Sequence, residues 1–307
     1  MADYVLQKTT EKNALISSGI ASSDARIGER LSKGGKGIDL PFWKRTNARA
    51  EVLSDEIPMT TNKIVASGDY AAVHARGIGY ASNDLAMLFS GDDPMAAIGD
   101  MVTEDWDSSM QDILLASLEG VFNSDGMKDH VNDISSLEGN EGIINNDALI
   151  DTIYKMGDNF DALTGIAMHS AVMGKLSKLK LLDDYTGNVK PEFATYMGRR
   201  IIVDDSIAPL TVSGGKKAYP IYLFGKDAVA YNESKKLIEI EPDRDSAQGD
   251  DYLYTRRVFT MHPRGIKWIG KPAGVTPSDA ELKLGENWEL VEASKNVAIT
   301  KLIARLD

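Results

Sequence analysis

The chain has 307 residues, of which 43% are hydrophobic, so it can form a sizeable core, and its length predicts about two domains. It contains no cysteine, which excludes disulfides, thiolate zinc sites and cysteine nucleophiles. The net charge of −12 argues against a protein whose main task is to grip nucleic acid, because such affinity comes largely from Lys and Arg on phosphates.

The first forty residues predict an arm. Their hydrophobic periodicity is weak, and the glycine-rich stretch at residues 33–37 cannot hold a regular element. Residues 1–50 carry nine Lys or Arg against five Asp or Glu, a net charge of +4, whereas residues 51–307 carry −16. A basic leader before an acidic body favours an arm that lies across its own subunit or a neighbour, although a solvated tail fits the same pattern. Deleting the arm should then leave a folded subunit that assembles poorly.

The sequence contains no targeting or membrane signal. Residues 1–12 lack the charged-then-apolar order of a signal peptide, and no uninterrupted apolar run approaches the ~18 residues of a membrane span. We therefore expect a soluble intracellular protein with no membrane partner.

An extended excursion follows the arm. Phe42 and Trp43 are aromatics that could anchor the arm in a pocket, and β-prone stretches lie at residues 63–67 and 70–77. Polar residues flank most of the apolar ones, which predicts a two-stranded projection over residues 51–80. A lone hairpin is marginal in water, so this projection should rest on another subunit; a floppy loop is the alternative.

Residues 92–123 predict one long helix. Asp93 is placed to cap its N-terminus, Pro94 suits the first turn, and Gly120 lies near the end, where a left-handed residue is favourable. Apolar residues at spacings of three and four form one stripe: Met95, Ile98, Val102, Trp106, Met110 and Ile113. The opposite face is acidic and the segment has no Lys or Arg, so most of the helix's stability should come from burying the stripe.

The next segment predicts a compact mixed α/β unit. Its elements are a helix over residues 145–156, a strand over 163–168, a helix capped by Ser170, and strands at 200–203, 219–224 and 237–240. Residues 241–251 have the polar composition of an exit linker.

The last part of the chain predicts strands at residues 252–261, 266–269, 288–291 and 297–305, with the last two paired to each other. These strands need an apolar surface to cover, and the stripe of the long helix is the obvious one. The first domain would then consist of two separated stretches, with the α/β unit inserted between them.

The sequence shows no catalytic constellation. The four histidines, His74, His130, His169 and His262, are far apart and share no metal-ligand spacing, so each is expected to be structural. The glycines at residues 77–79 and 214–215 complete neither a dinucleotide loop nor a phosphate loop. Asp204-Asp205 and the acidic residues at 243–245 could bind a cation, but neither set completes a ligand pattern. We predict no catalytic residue, no cofactor and no metal site.

Several short motifs, in order from about residue 40 onward, resemble major capsid proteins of tailed bacteriophages. They are Pro41-Phe42-Trp43, Gly-Asp-Asp-Pro at 91–94, Leu-Glu-Gly-Val-Phe at 118–122, Ile-Ala-Met-His-Ser at 166–170, Ile-Ile-Val-Asp-Asp at 201–205, Asn-Trp-Glu-Leu at 287–290 and Lys-Asn-Val at 295–297. Each motif is short and nonspecific, so the resemblance depends on their order and on the absence of catalytic signals.

The resemblance implies an α+β fold of the Hong Kong 97 type. Its parts would be an N-terminal arm (residues 1–40), an extended β-hairpin loop (41–83), a peripheral domain with a long spine helix (84–135 and 250–307), and an inserted axial α/β domain (136–249). We expect structural or assembly roles for Trp43, Ile98, Val102, Trp106, Ile113, Trp268 and Trp288.

The implied function is that of a major capsid protein, not an enzyme. It would self-assemble into pentamers and hexamers of an icosahedral virion head that encloses double-stranded DNA, formed in the bacterial host cytoplasm with portal and scaffolding proteins. No residues match the set that cross-links some such shells, and a removable scaffolding segment is not expected, because the arm begins almost at the first residue. Two alternatives are a nanocompartment shell of the same fold and a metal-dependent enzyme that uses His169, Asp204 and Asp205.

Overall fold

A computed structural model of the chain describes residues 20–31, 33–44, 46, 48–53, 55–56, 58–85, 88, 94–182, 194–234 and 239–307. The helices in these ranges are α1 (Ala25–Leu31), α2 (Pro94–Asn123), α3 (Asn146–Tyr154), α4 (Ser170–Lys178) and α5 (Asp279–Leu282). The strands are β1 (Ala21–Ser23), β2 (Gly37–Lys44), β3 (Val65–Ala72), β4 (His74–Asn83), β5 (Val131–Asp133), β6 (Leu163–Met168), β7 (Thr195–Tyr196), β8 (Arg199–Val203), β9 (Leu210–Thr211), β10 (Lys217–Gly225), β11 (Val229–Ser234), β12 (Ile240–Asp245), β13 (Asp250–Pro263), β14 (Ile266–Trp268), β15 (Trp288–Leu290) and β16 (Ile299–Arg305). Short 3-10 turns lie at Asp125–His130, Gly139–Gly142, Gly157–Ala162, Ser213–Gly215, Gly285–Asn287 and Ser294–Asn296.

The predicted long helix is confirmed as α2, which spans 30 residues and begins at Pro94. Five members of the predicted stripe are buried: Ile98, Val102, Trp106, Met110 and Ile113. The proposed cap Asp93 and the side chain of Met95 lie outside the described residues. Among those residues, no helix is both long and apolar enough to cross a membrane.

Gly120 has a different role from the predicted one. The helix continues past it to Asn123, and Gly120 does not have a positive φ angle. A Cβ atom added there would lie 1.9 Å from the Leu282 carbonyl oxygen and 2.6 Å from Trp288 Nε1. Glycine is needed at this position because α5 and β15 pack directly on the backbone of α2.

The stripe of α2 packs against a five-stranded sheet. The order of this sheet is β1-β11-β13-β12, and β4 pairs with the other side of β13. Leu253, Phe259 and Met261 on β13 lie in the same buried cluster as the stripe. The predicted strand at residues 252–261 is confirmed and is slightly longer than predicted.

The prediction of an arm over residues 1–40 needs correction for residues 20–40. β1 pairs in parallel with β11, and β2 begins at Gly37. Ile27, Leu31 and Ile38 are buried together against the sheet. Each element here has at most eight residues, too few to show a clear hydrophobic period in the sequence.

The projection is a hairpin with a different first strand from the predicted one. β2 and β3 pair antiparallel from Gly37 and Ala72 to Lys44 and Val65, so the hairpin begins before residue 51. The predicted strand at residues 70–77 is divided at Val73, because β4 leaves the hairpin and joins β13.

The second sheet has seven strands in the order β5-β16-β10-β6-β8-β7, with β9 pairing with β10. The predicted strands at residues 163–168, 200–203 and 219–224 are confirmed as β6, β8 and β10. His169, not Ser170, caps α4, because its ring Nδ1 accepts a 3.0 Å hydrogen bond from the Ala171 amide.

The predicted pairing of residues 288–291 with 297–305 is wrong. β15 pairs with β14, whereas β16 pairs with β10 and β5 in the seven-stranded sheet. All seven residues of β16 are buried, so both faces of this strand are covered. Such a strand suits the interior of a sheet, where β16 lies between β10 and β5, and not a two-stranded pairing with β15.

The predicted linker at residues 241–251 is also wrong. β12 and the start of β13 occupy this segment and pair antiparallel. The predicted strand at 237–240 overlaps β12 only at Ile240, and residues 235–238 lie outside the described part. β11, which the sequence did not predict, pairs with β13, so a strand within residues 136–249 belongs to the five-stranded sheet.

Candidate assembly surface

The centre of α2 is attached to the five-stranded sheet through Trp106. Its side chain is fully buried, and its Nε1 donates a 3.0 Å hydrogen bond to Thr255 Oγ1. Thr255 in turn donates to the Ile78 carbonyl oxygen on β4 at 3.2 Å. The Arg257 guanidinium lies 5.0 Å from the centre of the indole ring. Helix, central strand and β4 are therefore held in one fixed arrangement.

The C-terminal half of α2 is covered by a tryptophan pair. The rings of Trp268 and Trp288 meet edge to face with their centres 5.0 Å apart, and both side chains are buried. Trp288 Nε1 donates to the Leu282 carbonyl oxygen at 2.8 Å. These contacts close the core over Gly120 and connect β14, β15 and α5.

The base of the β2–β3 hairpin is attached to the body by a buried carboxylate. Asp69 Oδ1 lies 2.9 Å from His262 Nε2, and Asp69 Oδ2 accepts a 3.1 Å hydrogen bond from the Gly265 amide. Both side chains are buried. Burial opposes ionisation of Asp69 and acts to raise its pKa. The opposing effects are stronger: His262 lies close and hydrogen-bonds to the carboxylate, and the amides of Gly265 and Tyr70 donate to it. The pKa of Asp69 is therefore lowered.

Beyond this attachment the hairpin has little apolar support from its own subunit. Trp43, predicted as an anchor, lies at the end of β2 with 72% of its surface exposed. Five further large apolar side chains of the hairpin and its tip are exposed: Val52, Leu53, Met59, Ile64 and Val65. Monomeric soluble proteins rarely expose apolar residues at this density, so this segment is a candidate contact surface.

The acidic face of α2 takes its partners from other elements. Tyr80 Oη on β4 donates to Asp105 Oδ2 at 2.6 Å, and Lys283 Nζ lies 3.2 Å from Glu119 Oε2. Partial burial and the adjacent Asp105 raise the pKa of Tyr80, so its hydroxyl stays a donor at neutral pH. The helix therefore obtains a hydrogen-bond donor from β4 and one positive charge from Lys283, the residue that follows α5.

The residues proposed for a metal-dependent enzyme make local structural contacts. His169 caps α4, Asp205 Oδ1 accepts from the Ser170 amide at 2.9 Å, and Asp204 accepts from the Gln111 side chain. In the described ranges, no group of three or more acidic or histidine side chains could hold a metal ion.

The sequence prediction identified the buried apolar residues but not the Asp69–His262 contact at the hairpin base. Ile98, Val102, Trp106, Ile113, Trp268 and Trp288 lie in one buried cluster, and Trp43 lies apart from it on the exposed hairpin. Asp69 and His262 are separated by 193 residues. The sequence offered one weak signal, an Asp among apolar and small residues between two β-prone stretches.

Comparisons with known proteins agree with this architecture. A family model described as Major capsid protein 13-like matches residues 89–298. The major capsid protein of Bacillus phage SPP1 is 38% identical over 309 residues, which cover 99% of this chain and 94% of that protein.

Two solved capsid structures are similar to the fold. The capsid of Ralstonia phage GP4 has a TM-score of 0.62 at 7% identity, covering 97% of this chain and 91% of that one. The Cyanophage Pam1 capsid has a TM-score of 0.60 at 10% identity, covering 93% and 88%. At such low identity these structures show a shared α+β fold, while the family model and the SPP1 relative carry the assignment. The chain belongs to the Major capsid protein 13-like family.

Proposed function

We propose that this protein is a phage major capsid protein that self-assembles into the pentamers and hexamers of an icosahedral head. The observation that carries the proposal is the β2–β3 hairpin, whose base is fixed by Asp69 while its tip exposes apolar side chains. A projection that is rigid at its base and uncovered at its tip fits a subunit whose contacts are completed by other copies.

The proposed architecture is of the Hong Kong 97 type. In it α2 is the spine helix, the β2–β3 hairpin with its tip is the extended loop (41–83), and residues 1–40 include the N-terminal arm. The five-stranded sheet with α2 would form the peripheral domain (84–135 and 250–307), and the seven-stranded sheet the axial domain (136–249). β11 lies within residues 136–249 but belongs to the five-stranded sheet, and β16 lies within residues 250–307 but belongs to the seven-stranded sheet. These memberships support two domains that share strands across the boundaries.

We further propose that the head encloses double-stranded DNA without sequence-specific binding. The body of the chain is strongly acidic, and DNA carries about one negative charge per 1.7 Å, so the shell should not adhere to its contents. Portal and scaffolding proteins are proposed as further partners, and assembly would take place in the host cytoplasm.

The direct test is to express the chain alone and with candidate scaffolding proteins, and to image it by negative-stain microscopy. Hollow shells or capsomer rings without added ligand are expected. A compact monomer at every concentration under both conditions would contradict the proposal. If particles isolated from infected cells contain a protein cargo and no DNA, the chain is a nanocompartment shell instead.

A further inference from the structure

A cavity lies where α2 meets the seven-stranded sheet. It has a volume of about 390 Å³. Leu115 and Ala116 on α2 form one wall, and residues 206–210, which follow β8, form another. Tyr222 on β10 and Lys301 on β16 border the cavity as its floor, because both are buried. A molecule in this cavity would therefore contact α2 and the seven-stranded sheet together.

The two polar side chains of this floor have no polar partner in the described part of the chain. Lys301 is 4% exposed and Tyr222 is 5% exposed, and they lie opposite each other on adjacent strands. Lys301 Nζ lies 5.5 Å from the centre of the Tyr222 ring and 5.8 Å from that of Phe122. Within the described residues, neither Lys301 Nζ nor Tyr222 Oη makes a hydrogen bond or an ion pair. Since an unpaired buried ammonium or hydroxyl is costly, an acceptor placed in the cavity would be favourable.

Glu119, which also lines the cavity, does not neutralise Lys301. Burial lowers the pKa of Lys301, and the charges of Glu119 and Asp133 oppose this effect without outweighing it. The Glu119 carboxylate is directed to the rim instead, where its Oε2 lies 3.2 Å from the Nζ of the exposed Lys283. The ammonium at the floor is therefore left for an anionic group from outside the chain.

The rim disfavours a second negative charge. Asp112 is exposed there, and partial burial, then the charges of Asp279 and Asp204, raise its pKa. Asp279 already binds the Arg76 guanidinium at 3.0 Å. Because the walls between rim and floor include Leu115 and Ala116, the body of a ligand should be aliphatic.

We propose that this cavity binds a single carboxylate with an aliphatic body, held by Lys301 Nζ and Tyr222 Oη. Both groups donate to the carboxylate oxygens, and the methylene groups of the ligand lie against the α2 wall. A short-chain free carboxylate and a glutamate side chain of a partner polypeptide share this chemistry. The inference does not depend on self-assembly, so it can fail while the proposed function stands.

The reactivity of Lys301 tests the site directly. The full-length chain is treated with formaldehyde and cyanoborohydride, which methylate accessible amines, and each lysine is followed by mass spectrometry. The probes are butyrate and N-acetylglutamate N-methylamide, at an ionic strength held constant with chloride. At twice its dissociation constant, either probe should slow methylation of Lys301 about threefold. Lys295, an exposed lysine that pairs with Asp158, is the internal control and should react equally throughout.

Neutral isosteres separate a carboxylate site from a general apolar cavity. Butyramide and N-acetylglutamine N-methylamide have the same shapes without the charge, and they should not protect Lys301 at the same concentrations. Protection at lower concentrations by the blocked glutamate than by butyrate assigns the site to a polypeptide side chain, and the reverse order assigns it to a free carboxylate. A Lys301 that does not react without probe, or that the amides protect equally, would overturn the inference.

Calorimetry of matched variants gives a second readout. The blocked glutamate should raise the melting temperature of the wild-type chain, because a ligand that binds only the folded state stabilises it. Lys301→Met keeps the aliphatic stem and should lose this increase, and Tyr222→Phe should need about threefold more ligand for it, since one hydrogen bond is missing. Lys295→Met should behave like wild type. An undiminished increase in Lys301→Met would contradict the site, and the labelling of the wild-type chain decides the question if that variant fails to fold.

Discussion

Trp106 Nε1 donates a 3.0 Å hydrogen bond to Thr255 Oγ1, and this bond joins the middle of the longest helix to the longest strand. The indole is the largest of the fully buried side chains in the described structure. Because the acidic face of α2 gives the helix no internal ion pairs, the contacts of this one residue should contribute heavily to subunit stability.

Trp106→Ala is expected to lower the free energy of unfolding by roughly 3–5 kcal/mol, as loss of a core aromatic does. Urea denaturation of the unassembled subunit measures this change. Met101→Ala is the control, because Met101 lies on the same helix with 55% of its surface exposed, and it should change stability by less than about 0.5 kcal/mol. Equal effects of the two substitutions would remove the stripe from the core.

Two glycines of α2 should respond oppositely to alanine. In the described part of the chain, a Cβ added at Gly99 meets no atom outside the backbone of α2 within 4 Å, so Gly99→Ala should stabilise the subunit by about 0.5–1 kcal/mol, since alanine is the better helix former. Gly120→Ala would bring Cβ within 1.9 Å of the Leu282 carbonyl oxygen and should destabilise it by roughly 1–3 kcal/mol despite the same propensity gain. Melting temperatures of the two variants, compared with wild type, test the difference in sign.

Subunit stability should fall with acid because of His74. Burial, then the charges of Arg76 and His262, lower the pKa of His74 to about 3, from 6.5 in the unfolded chain. The unfolded state therefore binds the extra proton between these values, and this residue contributes a loss of up to about 1.4 kcal/mol per pH unit as pH falls from 6.5 towards 3. His74→Gln should have a flatter profile in that window. An unchanged profile would mean that His74 is protonated in the fold.

Features set by residues close in sequence could be predicted well. The stripe of α2 repeats over more than four turns, so its burial followed from the spacing of Ile98 to Ile113 alone. β6 was predicted with its bounds, because its apolar run is short and ends at a capped helix. Trp43 is exposed on the hairpin, so its expected role as an anchor in a pocket stays a prediction.

Features set by distant residues could not be predicted. The partner of β16 is β10, whose residues are separated from their register partners by 75 (Phe224 and Ile299) to 87 residues (Ala218 and Arg305), and nothing local distinguishes this partner from β15. The acidic composition of β12 matches a linker because its strand faces solvent on an edge. Asp69 and His262 become recognisable as a pair only when the hairpin base meets the end of β13.

Truncation separates the folded part of the N-terminal region from the rest. Removing residues 1–40 deletes Ile27, Leu31 and Ile38, each worth roughly 1.5–3 kcal/mol when buried, as well as the first half of β2, the partner strand of β3. That chain should be insoluble or partly unfolded. Removing residues 1–19 spares all three side chains and should leave the melting temperature within a few degrees of wild type, as scanning calorimetry can show. A stable chain without residues 1–40 would contradict the placement of α1 and β2.

The Asp69–His262 contact at the hairpin base should be required at neutral pH and lose its effect in acid. Asp69→Asn removes the buried carboxylate that faces His262 and accepts from the Gly265 amide, and it should lower the free energy of unfolding by roughly 1–3 kcal/mol, as leaving buried hydrogen-bonding groups unsatisfied does. Because the pKa of Asp69 is lowered by folding, its contribution is complete above the unfolded value of 3.8 and is lost as pH falls through the folded value. Asp39→Asn, at an exposed position of β2 in the same hairpin, is the matched control and should be silent. Faster hydrogen exchange confined to β2 and β3 in Asp69→Asn would show that the hairpin base has loosened, whereas protection equal to wild type would mean that other contacts hold the hairpin to the body.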